Sequence, residues 1–194
     1  MEKAFRAKLL DREILEKRTQ QLTKADVVLA DDVYIGGEIK EFSRREILNM
    51  ISLMIPEDFV TLSNDYTRIK YPHAFYPQFV LTSLDLKINM GFNIFPNNLK
   101  ERDAEQTANQ IREILSSEKV GLDFSQCEKL ESSDSHWFSY RSYAMDEDIY
   151  NMLLITNIRK RILQITFNCP LNEQDWKRVV LQIFESIKPI KEAT

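Results

Sequence analysis

The chain has 194 residues, of which 43% are apolar, with four glycines, six prolines and a net charge of −4. That length holds one domain with an extension, and so little Gly and Pro excludes a linker-rich or low-complexity chain. The negative net charge excludes a phosphate-binding surface spread over the whole molecule.

In chain order, residues 3–22 are rich in Ala, Leu, Glu, Lys and Arg, which predicts a helix. Its apolar positions (Phe5, Leu9, Leu10, Ile14, Leu15, Leu22) form an untidy stripe. Residues 1–24 carry seven basic and four acidic side chains, so the remainder holds 19 basic against 26 acidic, or +3 and −7. A solvated mixed-charge helix and a basic docking arm both fit this. Lys3, Arg6 and Lys8 are followed by neither an apolar run nor a small-residue cleavage site, so no secretory signal is expected. No stretch approaches the roughly 20 apolar residues of a membrane span. Cys127 and Cys169 are far apart and read as reduced thiols, which makes a cytoplasmic location the expectation.

Val27-Val28-Leu29 and Val33-Tyr34-Ile35 are β-prone, and Gly36-Gly37 suits a tight turn, so a small hairpin is expected. The apolar run Ile47–Ile55, closed by Pro56, reads as a strand buried on both faces. Glu57 to Pro77 then reads as a loop dense in aromatic residues: Tyr66, Tyr71, His73, Phe75 and Tyr76. These residues either plug a sheet edge or form an interface, because exposed Tyr and Phe offer large contact area at low entropic cost.

Phe79-Val80-Leu81 and the alternating series Leu84, Leu86, Ile88, Met90, Phe92, Ile94 predict two strands of a hairpin turning near Ser83. Ala104, Ala108, Ile111 and Leu115 recur at helical spacing and predict a helix lying on a sheet face between Asp103 and Lys119. Gly121–Leu130, Trp137–Met145 and Ile149–Ile155 read as an antiparallel meander. A hairpin turning at Asn157–Lys160 follows, with Leu163, Ile165 and Phe167 on one face of its return strand. The closing helix is marked by Asn172 as N-cap and by Trp176, Val179, Val180, Ile183, Phe184 and Ile187 as a wide apolar stripe, with Pro189 at its exit. This order predicts an α+β fold in which helices cover an antiparallel sheet.

Three segments carry a resemblance: Ile51–Phe59, the strand Ile162–Pro170, and the helix ending Ser186-Ile187-Lys188. Together they resemble the DcrB/PsbP-like superfamily, named for a bacterial envelope protein and a photosystem II extrinsic subunit and including the Ran-binding Mog protein. The resemblance covers about residues 46–190, leaving residues 1–45 as an N-terminal helix and hairpin extension, and Ile69-Lys70-Tyr71-Pro72 with Pro77-Gln78 resembles a loop of bacterial relatives. It implies an α-β-α sandwich that binds proteins or apolar peptide segments, as an adaptor or chaperone, and is not an enzyme.

The residues themselves point away from catalysis. His73 and His136 are the two histidines, neither in a motif, and Ser135-His136 are sequence neighbours without the spatial arrangement of a triad. Cys127, His136 and Cys169 are too dispersed for a zinc signature. Asp146, Asp148 and Asn151 hint at a calcium loop, but Asn151 and Asn157 stand where such a loop requires glycine and glutamate. Four glycines cannot build a phosphate cradle, and Arg159-Lys160-Arg161 reads as a soluble turn and not as a nucleic-acid contact. No cofactor or metal is expected. The sequence thus predicts a protein-binding module using a sheet face or the 57–77 loop. The alternative is a small-molecule binder or enzyme with scattered pocket residues, which a pocket of convergent polar groups with a histidine or a perturbed carboxylate would favour.

Overall fold

The computed structural model describes residues 29, 33–71, 76–95, 103–118, 122–143, 147–173 and 175–190. The helix expected over 3–22 lies outside them. In chain order the elements are β1 (Val33–Ile35), β2 (Glu38–Lys40), β3 (Phe42–Ile47), β4 (Ile51–Pro56), β5 (Val60–Thr61), α1 (Asn64–Lys70), β6 (Phe79–Thr82) and β7 (Asn89–Phe95). Then come α2 (Ala104–Glu118), β8 (Glu128–Lys129), β9 (His136–Ser142), β10 (Ile149–Ile158), β11 (Arg161–Pro170), α3 (Trp176–Glu185) and β12 (Lys188–Pro189).

The centre of the fold is an antiparallel seven-stranded sheet in the order β5-β6-β7-β11-β10-β9-β8. Its longest strands, β10 and β11, are joined at Arg159-Lys160, both with positive φ (51° and 59°), the conformation a two-residue hairpin turn needs. Side chains alternate between faces along these strands. Met152, Leu154, Leu163, Ile165 and Phe167 enter one core, which also holds Trp176, Val179, Val180, Ile183 and Phe184 of α3 and the apolar residues of β4. Leu153, Ile155, Ile162 and Phe138 face the other way and pack with Ala104 and Ala108 of α2. The α+β expectation is therefore met: a sheet with helices on both faces, α2 on one, α3 and the small sheet β12-β4-β3 on the other.

Several elements depart from the sequence reading. The apolar run Ile47–Ile55 is not one strand: Leu48 and Asn49 adopt positive φ (53° and 54°) and fold it into the β3–β4 hairpin. The alternating series does not begin at Leu84; residues 84–88 form a turn in which Leu84 and Leu86 are exposed, and the strand starts at Asn89. Within the span expected as the strand Gly121–Leu130, the described residues 122–130 contribute only the short β8 and a bridge from Phe124 to Tyr140.

The 57–77 segment contains β5 and α1. Ser63 stands at the N-cap of α1, with Asp65 in its first turn and Arg68 and Lys70 in its last, charges that complement the helix dipole. The closing helix starts at Trp176, later than Asn172, because Asp175 occupies the cap position and its carboxylate is engaged elsewhere.

Candidate functional site

The aromatic residues singled out from the sequence do not act as one group. Tyr71 follows α1 and lies down on the sheet, its hydroxyl donating to Asn168 Oδ1 at 3.4 Å. Asn168 Nδ2 in turn donates to Asn151 Oδ1 at 2.6 Å, and Asn151 Nδ2 donates to Ser142 Oγ at 2.8 Å. Asn168 and Asn151 stand directly opposite on β11 and β10, and Ser142 of β9 lies two residues along from Tyr140, the partner of Asn151, so Tyr71 caps a polar row on the sheet face beside α2. Burial, with Tyr140 nearby, pushes the Tyr71 hydroxyl up to about 12. Tyr66, on α1, is 62% exposed, and Tyr76 is partly exposed with the Arg68 guanidinium 6.0 Å above its ring. His73 and Phe75 lie outside the described residues.

Beside Tyr66 in the helix, one turn on, Ile69 is 75% exposed. The spacing of three residues puts both on one face of α1. Lys70 Nζ donates to the Leu86 carbonyl and ties α1 to the turn between β6 and β7. That turn is internally braced: Ser83 Oγ donates to Asp85 Oδ1 at 2.6 Å and accepts from Ile88 N at 3.0 Å. It projects Leu84 (71% exposed) and Leu86 outward. Exposed apolar side chains thus stand on both α1 and the turn to which Lys70 ties it.

The same turn forms one wall of a cleft of about 470 Å³. The opposite wall is the hairpin β1–β2, whose turn needs glycine: Gly36 and Gly37 have φ of 59° and 90°. Gly36 N–H donates to Asp175 Oδ2 at 3.2 Å, and a Cβ on Gly36 would stand 3.2 Å from Glu173 Oε2, so the hairpin docks tightly on the start of α3. Ile35, Phe59, Ile88 and Trp176 supply an apolar floor, with the Phe59 and Trp176 rings 5.8 Å apart.

The rim is acidic. Glu38, Asp58, Asp85 and Glu173 line the cleft together with a single ammonium, Lys40. Lys40 Nζ lies 2.8 Å from Asp58 Oδ2 and 2.9 Å from Glu38 Oε2, and these bonds hold its pKa above the ordinary lysine value. Burial pushes the Asp85 carboxyl up, but the Ser83 hydroxyl, the Lys87 N–H and the Lys87 charge together outweigh it and hold the group below its usual range. The second oxygen of Asp58, Oδ1, is buried with no hydrogen-bond partner among the described residues.

The arrangement suits a ligand with an apolar body and positive charge. Its one hydroxyl beside a carboxylate, Ser83 Oγ on Asp85 Oδ1, braces the turn through Ile88 N. His136 lies away from it, with Nε2 3.9 Å from Glu105 Oε2, and among the described residues no three His, Cys, Asp or Glu converge as metal ligands. No helix among them is long and apolar enough to cross a membrane. Cys127 and Cys169 are both free thiols. Sequence reasoning missed the cleft because its residues come from four separate segments; the Gly36-Gly37 turn was the one local signal of it.

No family model matches the chain, and no curated protein does. Among solved structures, the solution structure of cyanobacterial PsbP (CyanoP) from Synechocystis sp. PCC 6803 superimposes with a TM-score of 0.54 at 10% identity, over 81% of this chain and 97% of that one. A mutant of the protein Mog1 superimposes with a TM-score of 0.54 at 10% identity, over 78% of this chain and 97% of that one. At 10% identity the likeness is one of fold: this chain has the fold of PsbP and Mog1.

Proposed function

We propose that this protein is a non-enzymatic, cytoplasmic protein-binding module whose partner docks on the apolar surface of α1 and the β6–β7 turn. The observation that carries the reading is the exposure of Tyr66, Ile69, Leu84 and Leu86 on two elements tied together by Lys70. Grouped exposed apolar side chains mark interaction surfaces more often than singly scattered ones do. The fold likeness to PsbP and Mog1 is in keeping with the protein-binding role that the sequence resemblance implies, and the two free thiols fit a reducing compartment.

The test is photo-cross-linking from position 66 in the full chain, carried out in lysate of the source organism. A discrete adduct that disappears when Ile69→Ser and Leu86→Ser are introduced is the expected result. Adducts spread over many abundant proteins, or one insensitive to those changes, would count against it. A second reading, a small-molecule binder, is favoured by the cleft: its volume lies in the range of ligand pockets and its rim gathers polar groups, one of them a perturbed carboxylate. Thermal-shift screening with small organic cations would separate the two readings.

A further inference from the structure

The four carboxylates of the cleft are not equally neutralised. Lys40 Nζ pairs with Glu38 at 2.9 Å and with Asp58 at 2.8 Å. Asp85 and Glu173, the other two acidic residues of the lining, carry no ion pair among the described residues. Lys70 and Lys87 act on Asp85 only across space. The two unpaired carboxylates belong to opposite walls. Asp85 sits in the β6–β7 turn, where its Oδ1 accepts from Ser83 Oγ at 2.6 Å and from Lys87 N at 3.1 Å. Glu173 stands with the β1–β2 hairpin, its Oε2 3.2 Å from where a Cβ on Gly36 would be, and its own N–H donates to the Pro170 carbonyl at 3.0 Å. The floor that joins the walls is the apolar set Ile35, Phe59, Ile88 and Trp176, and Leu84, 71% exposed, adds an accessible apolar side chain.

We propose that the cleft binds a linear aliphatic diamine or polyamine, with one ammonium at Asp85, another at Glu173, and the methylene chain between them over the floor and against Leu84. The inference rests on the second reading above, that the cleft holds a small molecule, and names the class of that molecule. The volume of about 470 Å³ suits a small organic ligand. A quaternary ammonium has no N–H to give to a carboxylate, and Phe59 and Trp176, at 2% and 1% exposure, present no open aromatic face to receive it. A singly charged amine leaves one of the two carboxylates without a partner. A linear diamine reaches both, covers apolar surface with its methylenes and leaves Lys40 in place on Glu38 and Asp58. Exposed ion pairs are individually weak, but two on one chain reinforce each other, because the second forms within a molecule already held by the first.

The experiment is calorimetric titration of the full chain, at low salt, with the α,ω-diamines from diaminopropane to diaminooctane and with the monoamines of equal carbon number. A diamine should bind about tenfold or more tightly than its monoamine, the contribution of one further charge-assisted hydrogen bond, and one chain length should be preferred. Glu173→Gln changes a carboxylate that has no hydrogen bond among the described residues, and it should bring the diamine down to the affinity of the monoamine. Asp85→Asn should do the same; where it fails to fold, Glu173→Gln alone decides. Equal affinity for diamine and monoamine, or a preference that survives Glu173→Gln, would overturn the proposal and leave the small-molecule reading standing. Displacement of the diamine by magnesium at equal concentration of charge would make the cleft a diffuse cation sink and overturn it as well. Binding of no amine of either kind would overturn both the proposal and the reading beneath it.

Discussion

Tyr71 and Asn168, 97 residues apart in sequence, meet through a hydroxyl-to-amide hydrogen bond on the sheet face beside α2. The contact anchors the end of α1, and with it the exposed Tyr66 and Ile69, to a rigid central strand. Because burial raises the Tyr71 pKa from 10.0 to about 12, the folded state holds the proton more tightly than the unfolded chain. That contribution is fully present below pH 10 and is lost as pH rises from about 10 to about 12. A rise of that size corresponds to on the order of 3 kcal/mol. Urea unfolding of Tyr71→Phe at pH 9 and 11 should show a smaller alkaline loss of stability than the native chain; parallel losses would contradict the assignment.

Gly91 in β7 faces Pro77 across a gap with no room for a side chain. A Cβ there would lie 2.7 Å from Pro77 Cγ and 2.7 Å from Thr166 Oγ1. Gly91→Ala should therefore destabilise by about 1–3 kcal/mol through overpacking. The urea midpoint measures it, and Gly91→Ala at native stability would mean that the Pro77 segment moves aside freely.

Ser186, wholly buried, links the end of α3 to β4: its Oγ accepts from Met54 N at 2.9 Å and donates to Ile183 O at 2.7 Å. Ser186→Ala leaves the Met54 N–H without a partner, a loss of about 1–3 kcal/mol. Amide exchange at Met54 should accelerate in step with the drop in melting temperature; an unchanged exchange rate would show that another acceptor takes over.

Tyr66→Ala and Ile69→Ser alter side chains that are mostly in solvent, so each should shift stability by less than about 0.5 kcal/mol. A thermal melt decides. A large loss would show that these side chains support the fold and would remove them from the proposed docking surface.

The parts of the fold legible in the sequence were those with long, strict periodicity. The stripe from Trp176 to Phe184 and the alternation Leu163, Ile165, Phe167 each predict a buried face, and all of these residues are buried. Short elements set by local geometry were not legible. Leu48-Asn49 turns an apolar run back on itself with no glycine to signal it, and α1 buries only Thr67, so it carries no stripe. Leu84 and Leu86 continue the alternation of β7 in sequence while standing in a turn. The candidate site was legible only in part, because Tyr66 and Tyr71 can be named from composition, but which points outward depends on Asn168, far along the chain. The cleft, built from residues 35–40, 58–59, 83–88 and 173–176, has no signature in any one of those segments.

The small sheet β12-β4-β3 closes on itself late. β4 pairs with β3 through a tight local turn, yet its other edge is taken by Lys188 and Pro189, opposite Ser52 and Ile51, with Ile190 N donating to Met50 O at 2.9 Å. During synthesis the β3–β4 hairpin leaves the ribosome more than a hundred residues before its partner strand exists, and the core beneath it waits equally long for α3. Such distant pairings slow folding and leave apolar edges open to wrong partners in the interval. This domain is thus expected to fold only once β12 has been synthesised, as a unit completed by that strand, and to depend in the cell on whatever covers Ile51 to Ile55 until then.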